Sequence, residues 1–133
     1  MIKVLLADDD NDTLTMMSES LKARHYNVFC AGDGEECIKI IMTEKPDVLV
    51  LDLFMPGTDG AITFDYIRKL ADVHEDSAMR DYLAKLPIII LSGFIDEKTR
   101  EWFKSRNVAG YFVKPPNMAE LVKKIEEVVS KHK

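Results

Sequence analysis

Val48-Leu49-Val50-Leu51-Asp52 decides how this chain is read. Four consecutive apolar residues fit a strand buried on both faces of a sheet. The carboxylate that follows is costly in apolar surroundings unless it is paired or binds a cation. The first apolar run repeats the pattern: Val4-Leu5-Leu6-Ala7 leads into Asp8, Asp9 and Asp10. Two buried strands that both end in carboxylates point to a site, because an ordinary turn needs only one acid.

Outward from these two runs the chain alternates. β-rich runs occupy Lys3–Ala7, Asn27–Ala31, Val48–Leu51, Ile88–Leu91 and Tyr111–Val113. Segments with helical spacing lie between and after them. Leu14, Met17 and Leu21 mark the first. The second runs from Gly34 to Lys45 with Cys37, Ile38 and Ile41 on one side. Ile62, Tyr66, Ile67 and Leu70 mark the third. Trp102 and Phe103, after Phe94, belong to the fourth, and Leu121, Ile125, Val128 and Val129 to the fifth. Asn117 is expected to cap that last helix, with Glu120 three residues on. Five strands alternating with five helices predict an α/β domain, a parallel sheet covered on both faces. Asp72–Lys85 does not fit the rhythm. It is polar and charged, and is expected to be an extended segment inserted within the domain before the fourth strand, one that lengthens the third helix, forms an extra turn or is a loose loop, in the manner of surface-loop variation.

The length, 133 residues, suits a single domain spanning 1–133. A net charge of −5 gives no general drive toward nucleic acid or an anionic membrane. No apolar run approaches the ~20 residues that span a bilayer. Met1-Ile2-Lys3-Val4 leads straight into a strand with no secretion signal, so a cytoplasmic location is expected. Cys30 and Cys37 have no CxxC or Cys/His spacing and read as reduced thiols in or near the core. Lys131-His132-Lys133 is a basic tail whose cations favour a helix C-terminus. Of Trp102 and Phe103, one is expected in the core and the other partly exposed, since adjacent helix positions point apart.

In open α/β sheets, sites form beyond the carboxyl ends of the strands. If strands one and three are neighbours, Asp8, Asp9 and Asp52 converge there. Two carboxylates ~5 Å apart repel by roughly 3 kcal/mol at an effective dielectric near 20. Such a cluster raises a pKa or holds a cation, and oxygen-only ligands suit Mg²⁺. Asp10 is expected to serve the first helix as an N-terminal acid. Ser92 follows the fourth strand and Lys114 the fifth. A hydroxyl and an ammonium beside a carboxylate–metal cluster are what a phosphoryl group needs.

The motifs, taken together, resemble the response-regulator receiver domain, the phosphoacceptor module of two-component signalling and phosphorelays. The matching pieces are Lys3-Val4-Leu5-Leu6-Ala7-Asp8-Asp9-Asp10, Asp52-Leu53-Phe54-Met55-Pro56 with Gly60, Leu91-Ser92-Gly93, and Gly110-Tyr111-Phe112-Val113-Lys114-Pro115. The resemblance implies a flavodoxin-like fold, a five-stranded parallel sheet in the order 2-1-3-4-5. It implies that Asp52 accepts phosphate from a histidine kinase or histidine phosphotransfer protein. Asp8, Asp9, Asp52 and the backbone carbonyl of Phe54 would hold Mg²⁺. Ser92 and Lys114 would bind the phosphoryl oxygens, and Lys114–Pro115 would be a cis peptide. Ser92 and Tyr111 would form the switch that biases a partner-reading face made of the fourth helix, fifth strand and fifth helix. The implied partners are that phosphodonor and a downstream protein target, with no direct nucleic acid or membrane contact, for a monomer or weak dimer. Phe54 is expected to shield the acyl phosphate from water, so that Phe54→Asn would hydrolyse faster.

Two other functions fit parts of this set. A Mg²⁺-dependent phosphohydrolase with an aspartyl phosphate would need an acid two residues beyond Asp52, where Phe54 stands. A degenerate scaffold would not need Asp8, Asp9, Asp52, Ser92 and Lys114 all intact. The chain is therefore expected to act as a switch that assists its own phosphorylation and dephosphorylation, without turning over an external substrate. It reads equally as a single-domain regulator or as the receiver of a longer protein.

Overall fold

The computed structural model describes residues 1–53, 60–93 and 96–131. Within them the strands are β1 (Lys3–Ala7), β2 (Asn27–Ala31), β3 (Val48–Asp52), β4 (Ile88–Ser92) and β5 (Gly110–Val113). The helices are α1 (Asn11–Ala23), α2 (Gly34–Glu44), α3 (Gly60–Val73), α4 (Ser77–Lys85), α5 (Glu97–Lys104) and α6 (Met118–Lys131). The strands form one parallel sheet in the order β2-β1-β3-β4-β5. That is the expected order, and the central strand is the one from Val48.

Burial along the strands explains their composition. Every residue of β3 and β4 is buried, and so is β1 from Val4 onward, which is why those runs are continuously apolar. The edge strand β5 alternates between half-buried and exposed positions. Side chains alternate between the two faces of the sheet. Leu5, Leu49, Leu51, Ile88 and Ile90 pack under α2, α3, α4 and α5. Val4, Leu6, Val48, Val50 and Ile89 face α1 and α6. Each such fully buried aliphatic side chain stabilises the fold by about 1.5–3 kcal/mol relative to exposure. The two layers share the sheet and fix its strand ends.

Six helices stand among the described residues, where five were expected. The extra one, α4, lies inside Asp72–Lys85, the inserted stretch expected to lengthen the third helix, form a turn or be a loop; it is instead a separate helix. α3 runs on to Val73, and then Asp76 caps α4 by accepting from the Ala78 amide at 3.0 Å. Met79 and Leu83 are buried and Leu86 follows them into the same core. Their i, i+4, i+7 spacing is an amphipathic stripe that the surrounding charges mask. Arg80 folds back onto the carbonyl oxygens of His74 and Glu75, and Tyr82 donates to Pro46 O at 2.7 Å. α4 is thus an integral part of the layer, not a loose insertion.

Other local expectations meet their structures. Asn117 Oδ1 accepts from the Glu120 amide at 3.1 Å and opens α6. Phe103 is buried while Trp102 is only partly covered. Cys37 is buried, and burial pushes its thiol up to about 12. Cys30 corrects the expectation of a core thiol: it faces solvent on β2, an edge strand with only one neighbour. His25 follows α1 with φ 68°, a left-handed residue whose amide donates to Lys22 O. Phe94, His132 and Lys133 lie outside the described residues.

Candidate functional site

The register brings the acids together. Ala7 pairs with Leu51 across β1 and β3, so the next residues, Asp8 and Asp52, emerge side by side. Asp52 is the last residue of β3 and Ser92 the last of β4, one residue later than the sequence boundaries suggested. Being within the ladder, Asp52 pairs with Leu91, which fixes its backbone more firmly than a loop would. Carboxylate oxygens of Asp8, Asp9 and Asp52 all lie within 4.8 Å of one another. Asp8 and Asp52 are buried to 2% and 3% exposure, while Asp9 faces solvent.

Lys114 follows β5 and reaches back over the strand ends. Its backbone amide donates to Ser92 O at 2.7 Å, and the Lys114–Pro115 peptide is cis. Its Nζ stands 2.6 Å from Asp8 Oδ2 and 3.0 Å from Asp52 Oδ2. Burial alone would lower the Lys114 pKa. The hydrogen bonds and charges of Asp8 and Asp52 outweigh that and raise it above 10.5. One ammonium therefore bridges two buried carboxylates and is charged at any ordinary pH.

The site is short of positive charge. Three carboxylates against one ammonium leave a formal charge of −2, which a divalent cation would neutralise. Asp8 supplies the sharper indication. Its Oδ1 accepts from the Asp10 amide at 3.0 Å, while the buried Oδ2 has no hydrogen-bond partner beyond its contact with Lys114. A buried carboxylate oxygen with spare acceptor capacity, in an all-oxygen cluster, fits a hard cation such as Mg²⁺. Asp10 does what an N-terminal acid should. It accepts from the Asp12 amide and the Thr13 hydroxyl, and the Thr13 bond holds its carboxyl below the usual 3.8. The Asp10 amide that orients Asp8 is a role its side-chain type could not reveal.

The remaining expected site residues fall into place around this centre. Ser92 is fully buried. It lies on the sheet face of Ile88 and Ile90, and Ile90 pairs with Tyr111, so Ser92 and Tyr111 share that face. Tyr111 is half exposed. Phe54, with its expected carbonyl ligand and shielding ring, lies outside the described residues, as do Met55 and Pro56. Gly60 carries a constraint that only the structure shows: its amide donates to Leu53 O at 2.9 Å, directly beside the backbone of Asp52.

The family model of the response regulator receiver domain matches residues 4–126. The chain belongs to that family. Receiver domains are phosphoacceptor switch domains, and the acidic cluster at the strand ends is consistent with that. Solved receivers have the same fold. The receiver domain of Francisella response regulator 1452 is 28% identical, covers 100% of both chains and superposes with a TM-score of 0.80. Chemotaxis protein CheY4 of Vibrio cholerae is 27% identical over 96% of this chain and 98% of its own, with a TM-score of 0.82. No helix among the described residues is long and apolar enough to cross a membrane.

Proposed function

We propose that Asp52 is the phosphoacceptor of this receiver and that a histidine kinase or histidine phosphotransfer protein is its donor. One observation carries the reading: the Asp52 carboxylate lies at a strand end between a carboxylate cluster and the Lys114 ammonium. In the transfer, an Asp52 oxygen forms a bond to phosphorus as the donor's N–P bond breaks, and the imidazole leaves. Lys114 Nζ exchanges its carboxylate contacts for a phosphoryl oxygen, and the Ser92 hydroxyl donates to another. Asp8, Asp9 and Asp52 would hold Mg²⁺, with Phe54 O as the further protein ligand the resemblance implies. That ion would neutralise charge gathering on the phosphoryl oxygens.

Phosphorylation adds about −1.5 to −2 charges at Asp52, by analogy with a phosphoserine. Ser92 and Lys114 are drawn toward that charge, and Tyr111, on the Ser92 face, follows. The surface that changes is α5, β5 and α6, where a downstream protein would dock. The chain acts as a switch and turns over no external metabolite.

Incubation with acetyl phosphate and Mg²⁺, followed by intact mass, tests the reading. The expected result is a gain of one phosphoryl group, absent when EDTA replaces Mg²⁺. No gain would favour a receiver fold retained as a scaffold. Sustained release of inorganic phosphate from a panel of phosphate esters would instead make it a phosphohydrolase.

A further inference from the structure

Three aromatic rings lead away from Tyr111 into the interior. The Tyr111 ring lies on Phe103 with centroids 4.7 Å apart and planes at 16°, a stacked pair. Phe103 meets the neighbouring Trp102 edge-on at 5.7 Å, and Trp102 meets Phe64 of α3 edge-on at 5.2 Å. Both geometries are the ones aromatic quadrupoles favour. Arg106 clamps the train at Trp102, and Arg68 lies 5.1 Å from the Phe64 ring centroid. The Arg106 guanidinium lies 4.6 Å from the Trp102 ring centroid and makes a two-pronged pair with Asp65 of α3, at 2.8 and 2.9 Å. A bidentate pair of this kind fixes geometry as well as charge.

We propose that Phe103 is a positioning residue that holds Tyr111 in its half-exposed place. The Tyr111–Phe103–Trp102–Phe64 ring train, clamped by Arg106 and Asp65, then carries the state of Tyr111 to the α3–α5 seam. The inference rests on the phosphoacceptor reading above and extends it. A ring stacked nearly parallel on a buried Phe103 cannot swing toward Ser92 and keep that stack. Movement of Tyr111 removes one face of contact from Phe103, and Trp102 sits between Phe103 and Phe64. The seam therefore becomes a second region, sharing α5 with the α5–β5–α6 face, whose order depends on Asp52.

Trp102 is the chain's single tryptophan, so its emission reports on the train directly. Acrylamide quenching of Trp102 should rise about twofold when wild-type protein takes up phosphate, the lower bound of what losing one aromatic pair allows. Tyr111→Ala should show that rise at rest and no further change on phosphorylation. Tyr111→Phe, which keeps the stack, should behave as wild type, and Phe103→Leu, which keeps the core filled, should match Tyr111→Ala. Intact mass on the same samples scores phosphorylation separately. Absence of mass gain overturns the phosphoacceptor reading and leaves the train to the resting comparison of Tyr111→Ala with Tyr111→Phe. Equal quenching of those two at rest overturns the train, as does a full phosphorylation response in Tyr111→Ala.

Discussion

Asp52→Asn should take up no phosphoryl group from acetyl phosphate and should nevertheless melt no lower than wild type in the absence of Mg²⁺. The first half follows from chemistry: a carboxamide is not a carboxylate nucleophile. The second follows from the site's charge. Carboxylates within 4.8 Å of each other repel by about 3 kcal/mol at an effective dielectric of 20. Lys114 offsets only part of that repulsion. Replacing Asp52 with a neutral isostere leaves Lys114 paired with Asp8 at 2.6 Å and relieves the acid cluster. Function and stability are thus opposed at this position, as is common where a site holds like charges together.

The same variant has a sign-defined pH signature. The folded pKa of Lys114 is raised above 10.5, so its pairing contributes stability that is complete below the unfolded value and fades as pH rises through the folded value. Losing one of the two carboxylates lowers that folded pKa. The Lys114 share of alkaline destabilisation should therefore shrink in Asp52→Asn, narrowing toward 10.5. Thermal melts from pH 8 to 11.5, wild type against variant, measure it. A uniform drop in Tm of several degrees across neutral pH would show that Asp52 is held by bonds worth more than the repulsion it suffers.

How legible this was in the sequence differs by element. β1, β3 and β4 could be read because a strand buried on both faces is continuously apolar between its ends. The site could be read because parallel topology sends all carboxyl ends to one edge, so acids that are distant in sequence become neighbours. α4 was hidden by composition: Met79, Leu83 and Leu86 face inward with Tyr82 partly buried beside them, and charged neighbours swamp so short a stripe. The ring train was beyond sequence reasoning. Trp102 and Phe103 read as one core residue and one partly exposed one, but Phe64 and Tyr111 join them only after α3, α5 and β5 are packed. Nor does a glycine in a motif say what crowds it.

Gly60→Ala is expected to lose at least about 3 kcal/mol of stability, near 10 °C in Tm. An added Cβ there would sit 2.0 Å from Asp52 O, 2.7 Å from Leu53 Cα and 2.9 Å from Asp52 C. All three are backbone atoms, so no side-chain rotation relieves the clash, and overpacking a well-packed core already costs about 1–3 kcal/mol. The relief available is to move α3 off the end of β3, which breaks the 2.9 Å bond from the Gly60 amide to Leu53 O. That movement would carry the Asp52 backbone with it. Small misplacements of a reacting group cost rate steeply, so folded variant at low temperature should also phosphorylate at least about tenfold more slowly. Urea titration gives the stability loss as a lower midpoint with an unchanged slope. Gly32→Ala, where an added Cβ would meet nothing within 4 Å, serves as a comparison for the cost of the substitution itself. A Gly60→Ala unfolding free energy within about 0.5 kcal/mol of wild type would mean that the start of α3 can slide freely past Asp52. The strand end would then be held by the sheet ladder alone.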